Sequence, residues 1–146
     1  MIEQALADYL IRTEKIILEK KINFPIVNTS LTLNVICVDN NSEKILIDIN
    51  RKGTLKLTRC TYHKRYQTNI TLIRLDIDTK PHRNPDGTKV GPTHIHIYKE
   101  GYGDKWAYPL DEFDCFSNTD DLVQAFIDFC KFCNIKEIPI VQVVMT

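Results

Sequence analysis

Two short segments carry side chains able to move protons or hold anions: Arg74-Leu75-Asp76-Ile77-Asp78 and His94-Ile95-His96-Ile97-Tyr98. Side chains alternate in direction along a strand. Ile73, Leu75 and Ile77 therefore face one way, and Arg74, Asp76 and Asp78 the other. Ile95 and Ile97 are likewise opposed to His94, His96 and Tyr98. The aliphatic sets belong in a core, so the polar sets share one open face if both strands lie in one sheet. Antiparallel pairing predicts Asp78 beside His94, Asp76 beside His96 and Arg74 beside Tyr98. A shift by two residues changes the partners but not the face. The connection 80–92 holds Pro81, Pro85, Pro92, Gly87 and Gly91, which predicts a shaped loop able to carry His82 over the strands.

Two chemistries suit such a face. Imidazoles oriented by carboxylates act as general base and acid near neutral pH, with Arg74, Arg83 or Lys89 stabilising a phosphorane-like charge. That is the equipment of a metal-independent ribonuclease, which uses the RNA 2′-hydroxyl as its own nucleophile. Alternatively His94, His96 and an Asp, with or without His82, hold a transition metal. A third reading is a solvated polar face whose histidines only bond their neighbours. The expected site is His94, His96, Asp76, Asp78, Arg74, His82 and Tyr98, working without metal or other cofactor.

The 146 residues carry 19 Lys+Arg against 19 Asp+Glu, but the charge is uneven. Residues 51–105 hold 12 bases and 5 acids, and residues 51–75 hold seven bases and no acid. Aromatics interleave at Tyr62-His63-Lys64-Arg65-Tyr66, a pattern suited to phosphate contact and base stacking. Arg51, Lys52, Lys56, Arg59, Tyr62, Lys64, Arg65, Tyr66, Arg83 and Lys89 are the expected contacts to RNA or another polyanion. A solvated face, or a contact for the chain's own acidic part, would use the same charges.

Periodicity supplies the elements that must position these residues. Ile2, Leu6, Tyr9, Leu10, Thr13, Ile16 and Ile17 predict an amphipathic helix over 2–20. Alternation predicts strands over 31–37 and 45–49 and a third through Leu55 and Leu57, then strands over about 70–79 and 93–99. Asn118 or Thr119 caps a second helix with the stripe Leu122, Val123, Phe126, Ile127, Phe129 and Cys130, and 138–145 closes the chain as a strand. The fold expected is α+β: one domain over 1–146, a single antiparallel sheet of about five or six strands, and both helices on its apolar face.

Several classes are set aside. An apolar fraction of 43% supports a core. No run approaches the ~18 apolar residues of a membrane span. The acidic start lacks a secretory n-region, and five cysteines in a chain of this size fit free thiols in a cytosol. Cys130 and Cys133 end a helix, where a redox pair would open one, so core packing is expected. There is no P-loop, Rossmann glycine pattern or nucleophile elbow.

The stretch from Arg74 through Pro81-His-Arg-Asn-Pro-Asp-Gly and Pro92-Thr-His-Ile-His-Ile-Tyr to Trp106-Ala107 resembles a family of small bacterial and phage proteins of unknown function. It is more weakly similar to small toxins of toxin–antitoxin pairs with an Arg-x-Asp strand, a Pro-His loop and a His-x-His strand. That second resemblance implies an RNA-directed toxin and a neutralising protein partner. The expected function is thus a small endoribonuclease toxin. The alternative is a non-catalytic phage or mobile-element protein that binds a defence or nucleic-acid-binding partner through its basic and acidic faces.

Overall fold

In a computed structural model, which describes residues 1–144, helix α1 (Gln4–Arg12) is followed by strands β1 (Lys15–Ile17), β2 (Lys21–Phe24), β3 (Ser30–Cys37) and β4 (Lys44–Asn50). Then come β5 (Cys60–Tyr66), β6 (Ile70–Ile77), the short hairpin β7 (His82–Arg83) and β8 (Lys89–Val90), β9 (His94–Ile97) and β10 (Ala107–Pro109). Helix α2 (Leu122–Phe132) and β11 (Ile140–Val143) complete the chain. The main sheet has seven strands, not five or six, in the order β1-β3-β4-β5-β6-β9-β10, every neighbour antiparallel. Both helices lie on its apolar face. Lys64 on β5 donates to Leu10 O of α1, and the Tyr62 hydroxyl donates to Leu122 O of α2. Leu33, Ile45, Ile47, Ile49, Ile73, Leu75 and Ile95 fill the space between, with Phe126 and Phe129.

The first helix is shorter than its apolar repeat. Thr13 is extended (ψ 152°), and Lys15-Ile16-Ile17 instead pairs with Val35-Ile36-Cys37. The β-branched Ile16 and Ile17 prefer a pleated surface, and the free edge of β3 offers one. The expected third strand is absent: 51–59 is irregular, and Leu55 and Leu57 are 78% and 76% exposed. Arg51 holds this segment by donating to Pro25 O, Leu57 O and Arg59 O. The next strand is β5, whose core-facing positions are Cys60, Tyr62, Lys64 and Tyr66. A lysine at a core position hides the alternation.

Helix α2 begins at Asp121, whose side chain accepts from Gln124 N, rather than at Asn118 or Thr119. The closing strand pairs parallel with β2, outside the main sheet, and the expected end at Met145 lies outside the described residues. The five cysteines are free thiols, and Cys130 and Cys133 are in the core. Among the described residues no helix is long and apolar enough to cross a membrane.

Candidate functional site

Strands β6 and β9 pair with Arg74 opposite His96 and Asp76 opposite His94. This is the two-residue shift from the expected register, and on the other edge of β6 a β-bulge interrupts the pairing with β5. Lys64 faces Ile73 but Arg65 faces Thr71, so Leu72 is the extra residue, and both Leu72 and Ile73 are buried. Tyr98 bonds Leu72 O through its N–H and joins the core, where its hydroxyl meets the backbone of Ile2. Tyr98 is therefore not on the polar face. Asp78 also leaves the site. Its φ of 56° ends the strand, and its carboxylate pairs with Lys56 and Thr58.

The residues that converge are Arg74, Asp76, His82, His94 and His96. Asp76 Oδ2 lies 3.2 Å from both His94 Nε2 and His96 Nε2, and the two histidines are each 1% exposed. His94 Nδ1 donates to Gly91 O and His96 Nδ1 to Asp104 O, both at 2.7 Å. A carbonyl oxygen only accepts, so each Nδ1 carries a proton and each Nε2 is the chemically variable atom. His94 Nε2 meets Asp76, a contact that is a hydrogen bond only when Nε2 is protonated. His96 Nε2 also faces Arg74 Nη2 at 3.0 Å, and can accept from it as a neutral ring. Burial works to raise the Asp76 carboxyl. Hydrogen bonds from His94 and His96 and the charge of Arg74 outweigh it and hold the carboxyl well below the usual range.

The hairpin β7–β8 covers the pair. Gly87 (φ 90°) makes its turn, and Asn84 docks on β10, donating to Ala107 O and accepting from Ala107 N. His82 Nε2 donates to Lys105 O at 2.7 Å, which sets its ring 4.7 Å from that of His96 and 5.9 Å from that of His94. Arg74 is braced in turn by Asp104 Oδ2 at 2.9 Å. Segment 104–107 thus orients His96, His82, Arg74 and the hairpin together.

A cleft of about 470 Å³ opens beside this cluster. Arg74, Asp76, His82, His94 and His96 line it, together with Arg59, Thr61, His63, Lys80 and Asn50. Two polar rows cross the sheet beneath it: His94–Asp76–Thr61–Asn50 and His96–Arg74–His63–Asp48. Nothing in the run Tyr62-His63-Lys64-Arg65-Tyr66 distinguishes His63 from its basic and aromatic neighbours. Asp104 was hidden in a segment with no periodicity.

The expected polyanion contacts divide. Tyr62, Lys64 and Tyr66 are in the core, and Arg51 is buried against backbone carbonyls, so none of these four meets a ligand from outside. Arg65 is committed to Asp48 at 2.6 Å and Lys56 to Asp78 at 2.9 Å. Lys52, Arg83 and Lys89 are exposed and Arg59 is half-buried in the cleft wall. Strand alternation accounts for Tyr62, Lys64 and Tyr66: in β5 every second residue points inward.

Asp76, His94 and His96 are also the group able to hold a metal among the described residues, with their ligand atoms within 4.8 Å of one another. Locked Nδ1–H groups behind paired Nε2 atoms suit that use. The Arg74 guanidinium contacts two of the three, Asp76 and His96, so an ion would compete with it for them.

An antiparallel sheet with helices on one face and an Arg–Asp–His cluster under a hairpin on the other defines a small α+β protein with a polar, cation-lined site. The chain belongs to a family of unknown function, DUF6978, whose model matches residues 2–135. No curated protein and no solved structure matches it.

Proposed function

We propose that the chain is an RNA-directed protein that cleaves phosphodiesters by histidine acid–base chemistry without a metal. The reading is carried by the sharing of Asp76 Oδ2 between His94 Nε2 and His96 Nε2 at 3.2 Å beside the Arg74 guanidinium. Asp76 orients both Nε2 atoms through one oxygen, and Arg74 brings the positive charge a phosphorane needs. The RNA 2′-hydroxyl is the nucleophile, so the protein supplies proton transfer and charge only. Arg59 and Lys80 in the cleft wall extend the field that draws a polyanion in.

The test is cleavage of an end-labelled single-stranded RNA in the presence of a chelator. Wild type should cut, the all-deoxy substrate should survive, and His96→Ala should lower the rate by about 10²–10⁴. Loss of cutting on chelation alone would overturn the metal-free chemistry in favour of an ion at Asp76, His94 and His96.

The 1% exposure of the two strand histidines favours a second reading, a binding protein in which the cluster is a structural brace. Its effect would survive a His96→Ala change that leaves the fold intact and fail on charge reversal at Arg59 and Lys80. A neutralising protein partner belongs to the first reading only.

A further inference from the structure

His94 and His96 cannot straddle a phosphate. Their rings are 4.9 Å apart and both Nε2 atoms aim at one oxygen of Asp76. Cleavage by in-line displacement needs a base beside the attacking hydroxyl and an acid beside the leaving oxygen, on opposite sides of phosphorus. The row His96–Arg74–His63 has that layout: Arg74 is central, with one imidazole on the strand to either side. Strand spacing separates the two outer positions by about 10 Å.

We propose that a phosphodiester seats over Arg74 between His63 and His96, with His63 as the second proton carrier of the site. The inference rests on the RNA-cleaving reading above. His63 Nε2 already meets a hydroxyl, that of Thr71, at 2.7 Å, and its Nδ1 points towards Asp48 Oδ2 at 3.8 Å. Asp48 is fixed by Arg65 and by Thr32, so this is a second Asp–His–Arg set on the same face. Burial, with the charges of Arg74 and Arg65, pushes His63 below the ordinary imidazole value, against the pull of Asp48 and Asp104. A ring held neutral is a base.

The step balances without a further reactant. His63 Nε2 takes the proton of the 2′-hydroxyl as the 2′ oxygen bonds to phosphorus. The bond from phosphorus to the 5′ oxygen breaks, and that oxygen takes a proton from His96 Nε2, which must turn to it from Asp76 Oδ2. The products are a 2′,3′-cyclic phosphate and a 5′-hydroxyl, and Arg74 lends its charge to the non-bridging oxygens by turning Nη2 from His96, while Nε stays on Asp76 and Nη1 on Asp104.

The experiment pairs kinetics with a ligand titration. His63→Ala should lower the single-turnover rate on single-stranded RNA by about 10²–10⁴, remove the acidic limb of the pH–rate profile, and regain rate with added imidazole. His63→Gln, which keeps a polar group beside Thr71, should fold as wild type and stay inactive. Inorganic phosphate should shift the ring resonances of His63 and His96 together in wild type, and neither in Arg74→Ala. An unchanged pH profile in His63→Ala, or phosphate that leaves His63 unmoved, overturns the proposal. If wild type cuts no RNA, the cleavage reading fails and with it His63 as a carrier. The seat over Arg74 is then decided by the phosphate titration alone.

Discussion

Asn84 and Ala107 are joined by two hydrogen bonds, Nδ2 to the Ala107 carbonyl at 3.0 Å and the Ala107 N–H to Oδ1 at 2.8 Å. A side-chain amide here imitates the backbone of a missing strand at the edge of β10. Both bonds are buried.

Asn84→Ala leaves the N–H and C=O of Ala107 without partners under the hairpin. The cost expected is about 2–3 kcal/mol, read from urea denaturation. Activity should fall further than stability, because His82 rides on the same hairpin. A variant with full stability and a full rate would show that Asn84 is not the latch.

Asp76→Asn removes the charge that His94, His96 and Arg74 surround. Asp76 has a folded pKa below its unfolded value, so its stabilisation is complete above about pH 4 and is lost as pH falls below that. The variant should be about 3 kcal/mol less stable at pH 7, and the gap should close in acid. A gap that persists unchanged at pH 3 would contradict this account.

Lys64 is fully buried, and its ammonium donates to Leu10 O at 2.9 Å at the end of α1. Burial is the main force lowering it to about 7, with Cys133 opposing and Lys15 reinforcing. Above pH 7 the unfolded chain holds a proton there that the folded chain lacks, so stability rises with pH. Relative to Lys64→Met, wild type should gain roughly 1 kcal/mol between pH 7 and pH 8. Parallel stability curves for the two proteins would refute it.

RNA binding should weaken with salt, each phosphate contact adding about 0.7 to the slope of log K against log salt. Arg59→Gln with Lys80→Gln should lower that slope by about 1.4. Lys64→Met should leave it alone, because Lys64 never reaches the surface. Fluorescence anisotropy at several salt concentrations separates the two.

The face that holds the site was readable from alternation in β6 and β9, because Ile73, Leu75 and Ile95 commit their strands. The register was not. Alternation fixes which face a side chain takes but leaves pairings two residues apart equivalent, so it did not choose between Arg74 opposite His96 and Arg74 opposite Tyr98. Alternation also failed for β5, where Lys64 holds a core position and bonds the end of α1. That one inward lysine made Tyr62 to Tyr66 look like a basic surface and hid His63. The first helix was overextended because Ile16 and Ile17 fit a helical repeat and a strand equally well. Pairing with β3 decided between them.

The side-chain bonds within the Arg74, Asp76, His82, His94 and His96 cluster are all made inside the stretch between Arg74 and Ala107. The bonds that tie the ends of the chain together are different in kind. Asn134 reaches Arg12 across 122 positions, and β11 must find β2. Loop closure of the first kind is fast and of the second slow. Folding should therefore assemble the polar face before the termini dock, and native-state hydrogen exchange should show β6 and β9 protected in partly open forms from which β2 and β11 have already detached.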